Sequence, residues 1–175
     1  VWSFTTEPVG YPIQNITATA SSFHNADMGP EKTINGSGLN ADDLHSKEPI
    51  DMWLSGAAGP QPTWIQYQFD KVYKLNQMWV WNSNQTVESF VGFGFKDVTI
   101  EYSTNGTDYM ILGTTHQFAQ APGTDGYAHN TTIDFSGVAA KYVRLTAISN
   151  WGFLTQYGLS EVRFFYIPVL ASEPK

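Results

Sequence analysis

The chain has no cysteine. That removes a disulfide framework and thiolate metal sites, while leaving the cellular compartment open. Basic residues are scarce: nine Lys and Arg stand against sixteen Asp and Glu, for a net charge of −7. No Lys/Arg run occurs, so the electrostatic footprint of a nucleic-acid binder is missing. The same deficit excludes a basic patch for anionic membrane surfaces. No apolar run reaches the length that crosses a bilayer as a helix, and no membrane insertion is expected. The sequence opens Val1-Trp2-Ser3, with neither an initiator Met nor a signal-peptide pattern, as a processed or excised fragment would. Helical signal is nearly absent: only Gly29-Pro30-Glu31-Lys32-Thr33-Ile34 offers a single turn.

Catalytic patterns are missing too. The histidines are His24, His45, His116 and His129, and no pair has the i, i+4 spacing of a helical zinc site. There is no Gly-x-Ser-x-Gly elbow and no phosphate-binding Gly loop; Gly92-Phe93-Gly94-Phe95 leads into a strand. Asp42, Asp43 and Asp51 share one loop, and no second carboxylate is seen to face them as glycoside hydrolysis requires. The chain is therefore expected to be non-catalytic.

What is present is β structure rich in aromatics. Hydrophobic residues make up 42% and aromatics 15% of 175 residues, enough for one domain with a core and some exposed rings. Alternation marks strands at Ile16–Ala20 and at Trp64–Phe69, where Ile65, Tyr67 and Phe69 face one way and Trp64, Gln66 and Gln68 the other. Leu75–Trp81 is nearly continuous in apolar residues, as a buried strand should be. Val98–Tyr102 and Tyr109–Leu112 flank Asn105-Gly106, the signature of a type I′ hairpin turn. Further strands read at Thr131–Phe135, Lys141–Ala147 and Glu161–Ile167. Trp53, Trp64, Trp79 and Trp81 are assigned to the core. Long loops over 36–51, 82–94, 114–130 and 149–159 are the places for function. One domain over 1–170 and the start of a linker over 171–175 complete the organisation.

Several segments, in order, resemble the coagulation factor V/VIII type C, or discoidin, domain, closest to the bacterial branch grouped with family 32 carbohydrate-binding modules. They are Glu31-Lys32-Thr33-Ile34-Asn35-Gly36, Asp51-Met52-Trp53-Leu54-Ser55, Trp64–Phe69, Lys96–Ser103, Lys141–Leu145 and Leu159–Phe164. The resemblance implies an all-β fold, an antiparallel β-sandwich jelly roll of about eight strands like galactose-binding domains. It implies binding by loops at one end, and the lack of Cys favours the sugar-binding branch. It also implies a structural Ca²⁺, with Asn35, Asp51 and Glu161 as side-chain ligands and Lys32, Ser37 and Ser160 adding main-chain oxygens. For the sugar it points to His45, Asn82 or Asn84, and Trp151 or Phe153. Glu88 and Tyr157 share the same loops and the same chemistry. An aromatic platform takes the C–H face of a pyranose, and planar polar groups take its hydroxyls. Trp151 is the expected platform, with His45 and Asn82 as hydrogen-bond partners. No Arg occurs between Asn82 and Asp97, so the guanidinium fork common in galactose binders is missing. The expected function is a secreted or cell-surface carbohydrate-binding module, joined to further domains and targeting them to a glycan or polysaccharide. The alternative is a protein–protein adhesion domain of the same fold.

Overall fold

The computed structural model describes residues 10–168. Its ten strands are β1 (Tyr11–Pro12), β2 (Ile16–Ala20), β3 (Trp53–Leu54), β4 (Trp64–Asn82), β5 (Asp97–Ser103), β6 (Met110–Ile111), β7 (His116–Gln117), β8 (Thr131–Asp134), β9 (Ala139–Ala147) and β10 (Gly158–Tyr166). Every strand pairing is antiparallel. The single helical turn expected near residue 30 is a 3-10 turn over Pro30–Thr33. Two more such turns occur, at Ala26–Met28 and Pro49–Asp51.

β4 organises the sandwich. Its first half, 64–69, lies between β2 and β9. Its second half, 75–82, lies between β10 and β8. The sequence reads as two strands because Asp70-Lys71 interrupts the apolar pattern. In the fold the backbone stays extended there and bends from one sheet to the other, with a register shift between Gln68 and Tyr73. The first sheet holds β10, the second half of β4 and β8, with β1 and β3 on the outer edge of β10. The second holds β2, the first half of β4, β9 and β5, with β6 and β7 beyond.

The alternation of Trp64–Phe69 holds: Ile65, Tyr67 and Phe69 are buried between the sheets. Phe164 from β10 meets Phe69 and Tyr67 edge to face at 5.1 and 5.2 Å, the geometry the ring quadrupole favours. Trp53 and Trp81 are fully buried. Trp64 and Trp79 correct the core assignment, because both point to outer faces and are only half-buried. Trp64 shares its face with Gln66 and Gln68, while Trp79 stacks on His129 at 4.2 Å. The Asn-Gly turn differs as well. Gly106 alone in that loop has a left-handed φ, +80°, whereas a type I′ turn needs two such residues. Asn105 instead accepts the amides of Thr107 and Asp108 on its Oδ1, which builds a longer loop.

The bend of β4 returns the chain to the end it left, so residues 21–24, 53–64, 82–97, 115–127 and 147–157 meet at one end of the sandwich. Cross-links there include Gly56 N–H to Ser22 Oγ, Gln61 Nε2 to Thr155 O and Phe118 N–H to Lys96 O. Tyr11, Tyr166 and the β4 bend lie at the other end. The expected linker at 171–175 lies outside the described residues.

Candidate functional site

The loop end has a polar base and an apolar rim. Asn82 closes β4 and is fully buried. Its Nδ2 donates to Phe95 O at 2.7 Å and Ala119 O at 2.8 Å, and its Oδ1 accepts the Ser83 amide. Asn84, also buried, donates to Ser46 O and Thr124 O and accepts the Gly123 amide. Each amide bonds three loop backbone groups, because buried carbonyls and N–H groups need partners that a loop cannot supply itself.

Glu88 accepts the Gly94 amide at 2.6 Å on Oε1. Its Oε2 is buried without a partner, and burial pushes the carboxyl up to about 7. His45 is buried too; Nδ1 donates to Ser46 O at 2.9 Å and burial holds the ring neutral. Its main chain bridges to Tyr127. These four side chains were expected to meet a sugar. The structure corrects that: all four are enclosed, and Asn82 and Asn84 bond separate loops together.

The rim carries the accessible rings. Loops 83–96 and 149–157 cross where Gly92 meets Gly152, so closely that a Cβ on Gly152 would collide with the Val91 carbonyl. Beside this crossing Phe90 is 67% and Phe153 76% exposed. Trp151 is half-buried; its indole N–H donates to Phe118 O and Lys96 Nζ stands 4.9 Å from its ring. Trp151, the expected platform, is thus braced from below, whereas the Phe153 ring stands free. Tyr157 packs inward, edge-on to Phe95 at 5.8 Å. Phe90 was missed by sequence reasoning; its place in the Gly-flanked run Ser89-Phe90-Val91-Gly92 was the available signal.

A cleft of about 450 Å³ lies elsewhere, on the outer face of the first sheet. Asn35, Gly36, Trp79, Glu161, Arg163 and Asp43 line it. Glu161 is 5% exposed; its Oε1 accepts the Gly36 amide at 3.3 Å and its Oε2 has no partner. Burial pushes this carboxyl up to about 8. Asn35 Oδ1 accepts the Ser37 amide, and Ser160 Oγ donates to Asn82 O.

Asp51 was expected beside these groups. Its Oδ2 accepts the Ser46 hydroxyl at 2.6 Å, and its Cβ lies beside Gly38, two residues from the Gly36 amide that Glu161 accepts. The second carboxylate at the cleft is Asp43, at a left-handed φ of +58°. It is held by Arg163 in a two-bond fork at 2.7 Å each, and that fork keeps its carboxyl below the usual range. Among the described residues no group of three or more His, Asp or Glu converges on a metal position. An orphaned buried carboxylate oxygen beside an Asn and an open loop does fit a hard cation, provided main-chain oxygens complete the shell.

The F5/8 type C domain model matches residues 17–159. The chain belongs to the F5/8 type C family. No curated protein matches the sequence. Among solved structures, the family 32 carbohydrate-binding module of Clostridium perfringens NanJ, in complex with galactose, is 15% identical. The two superpose with a TM-score of 0.66 over 90% of this chain and 99% of that one. A third such module from a family 31 glycoside hydrolase of Clostridium perfringens is 22% identical, with a TM-score of 0.66 over 89% and 94%. The fifth module of a family 89 enzyme of that organism, solved with GalNAc-β-1,3-galactose, is 16% identical, with a TM-score of 0.65 over 89% and 99%. These likenesses establish the jelly-roll sandwich. A family 89 glycoside hydrolase structure also matches, through only 16% of its length.

Proposed function

We propose that this F5/8 type C domain is a non-catalytic carbohydrate-binding module that holds a larger secreted or cell-surface protein on a neutral glycan. The observation that carries the reading is the rigid loop end, with Phe153 and Phe90 exposed above a base of saturated amides. An exposed ring on a fixed loop meets the C–H face of a pyranose without reorganisation. Phe153 is the platform in this reading, with Trp151 as its wall. Similar modules of Clostridium perfringens are known in complex with galactose and with GalNAc, which makes these the first ligands to try. A single shallow site binds in roughly the micromolar-to-millimolar range, and linkage to further modules raises the effective affinity. A glycan array tests this: signal is expected on neutral galactose- or GalNAc-terminated glycans, and a folded but silent protein contradicts it.

Ca²⁺ belongs to the same reading as a structural ion. Glu161, Asn35 and Asp51 are the side chains that would hold it, with Lys32, Ser37 and Ser160 contributing main-chain oxygens. The ion would supply the positive charge that the enclosed Glu161 carboxylate lacks. Chelation is expected to lower the melting temperature.

A further inference from the structure

We propose that the outer face of the second sheet, built around Trp64, Arg144 and Tyr109, is a second carbohydrate surface that takes an extended, uncharged glycan chain. The proposal rests on the glycan-binding reading above and extends it to the sheet face that adjoins the Phe153 rim.

The two outer faces of the sandwich differ. That of the first sheet is roofed by loops: Trp81 is enclosed with Ala121 and Tyr127, and its indole N–H donates to Asp43 O. That of the second sheet is open on its β2 side, where Thr17, Thr19 and Gln68 are exposed, and covered on its β5 side, where Gly106 lies against the Tyr142 ring. Its outward rows run across the strands as Trp64–Thr146–Thr99, Thr19–Gln66–Arg144–Glu101 and Thr17–Gln68–Tyr142, the last row ending at the buried Ser103. Strands lie about 4.8 Å apart, so four of them make a ledge about 15 Å wide.

The rings on this ledge are fixed in advance. The Arg144 guanidinium lies 5.2 Å from the Trp64 ring centroid and 4.7 Å from that of Tyr109. Gln66 Oε1 accepts Arg144 Nε at 3.0 Å, Arg144 Nη2 at 2.7 Å and the Tyr109 hydroxyl at 2.9 Å. Tyr109 reaches from the loop before β6 over β5 and β9 to make that last bond. Holding these groups in the free protein lowers the ordering entropy lost on binding.

The polar groups around them are open. Thr17, Thr19 and Gln68 are exposed and make no side-chain hydrogen bond among the described residues, and neither does Gln66 Nε2. Arg144 forms no ion pair among the described residues, and its cross-strand neighbour is Glu101. The charges of the ledge therefore cancel, which matches an uncharged ligand better than an acidic one. Aromatic ledges with free amides and hydroxyls are the chemistry that sugar rings require. The ledge also meets the rim: the Trp64 amide donates to Ser21 Oγ, and Gln61 bonds Thr155 O, two residues from Phe153. A chain held at the rim by its end can lie down along this face.

The test is electrophoresis of the whole chain through gels containing neutral galactan, mannan, xylan or β-glucan, with galactose titrated separately by calorimetry. Retardation by at least one polysaccharide is expected. Gln68→Ala and Trp64→Ala should each reduce it at least several-fold, while melting stays cooperative and galactose affinity is unchanged. Gln68 makes no internal bond, so its variant remains informative if Trp64→Ala fails to fold. Galactose binding without polysaccharide retardation, or retardation unchanged in Gln68→Ala, overturns the ledge alone. Absence of binding to every saccharide overturns it together with the glycan reading.

Discussion

The base and the rim of the loop end invert the usual ordering of residue types. Asn82, Asn84, Glu88 and His45 are enclosed, while Phe90, Phe153 and Leu154 are exposed. Irregular backbone explains the base: packed loops leave carbonyls and N–H groups that sheet ladders cannot satisfy, and side-chain amides fill that need. No such need explains the rim, where an apolar ring in water gains nothing for the fold. The contrast assigns support to the polar residues and contact to the apolar ones.

The largest expected effect comes from the base. Asn82→Ala strands two buried carbonyls and one amide. Its cost is on the order of 3–5 kcal/mol, read as a large drop in the urea midpoint. A drop too small to measure would mean that the base does not hold the loops.

The loop crossing comes next. Gly152→Ala drives a methyl group into the Val91 carbonyl. It should cost about 2–3 kcal/mol and displace the rim, weakening glycan binding with it. Unchanged melting would show that the two loops separate freely.

Glu161 gives a smaller effect with a sign fixed by pH. A carboxyl raised to about 8 in the fold is a burden only once ionised. Stability is full below the ordinary carboxyl range and is lost as pH rises toward and through about 8. In chelator, the urea midpoint should therefore fall between about pH 5 and about pH 9. Glu161→Gln should flatten much of that slope, and added calcium should flatten it in the wild type. Glu88, raised to about 7, contributes a slope of the same sign at lower pH. A slope that survives Glu161→Gln unchanged would place the titration elsewhere.

Much of the fold was legible because alternation and turn residues are local signals. The Trp64–Phe69 pattern gave the buried face correctly, and the ordered family segments indicated the sandwich. The site was less legible. Asn82 and Asn84 look like ligand-binding amides in sequence, and only tertiary contacts with Ser46, Ala119 and Thr124 show them enclosed. The Asp43–Arg163 fork joins residues 120 positions apart, so no local pattern announces it. Trp64 and Trp79 were placed in the core by residue type alone. For Trp64 the alternation with Ile65 already pointed outward.

Phe153 should matter least for stability and most for binding. Truncation of an exposed ring changes folding free energy by less than about 0.5 kcal/mol. Calorimetric titration of wild type and Phe153→Ala with galactose and GalNAc, beside their melting curves, tests the central claim most directly. The expected result is measurable binding by the wild type, at least tenfold weaker in Phe153→Ala, with superimposable melts. Equal binding by the two proteins, or a folded wild type that binds no glycan, would contradict it, and the second outcome would favour a protein-adhesion role.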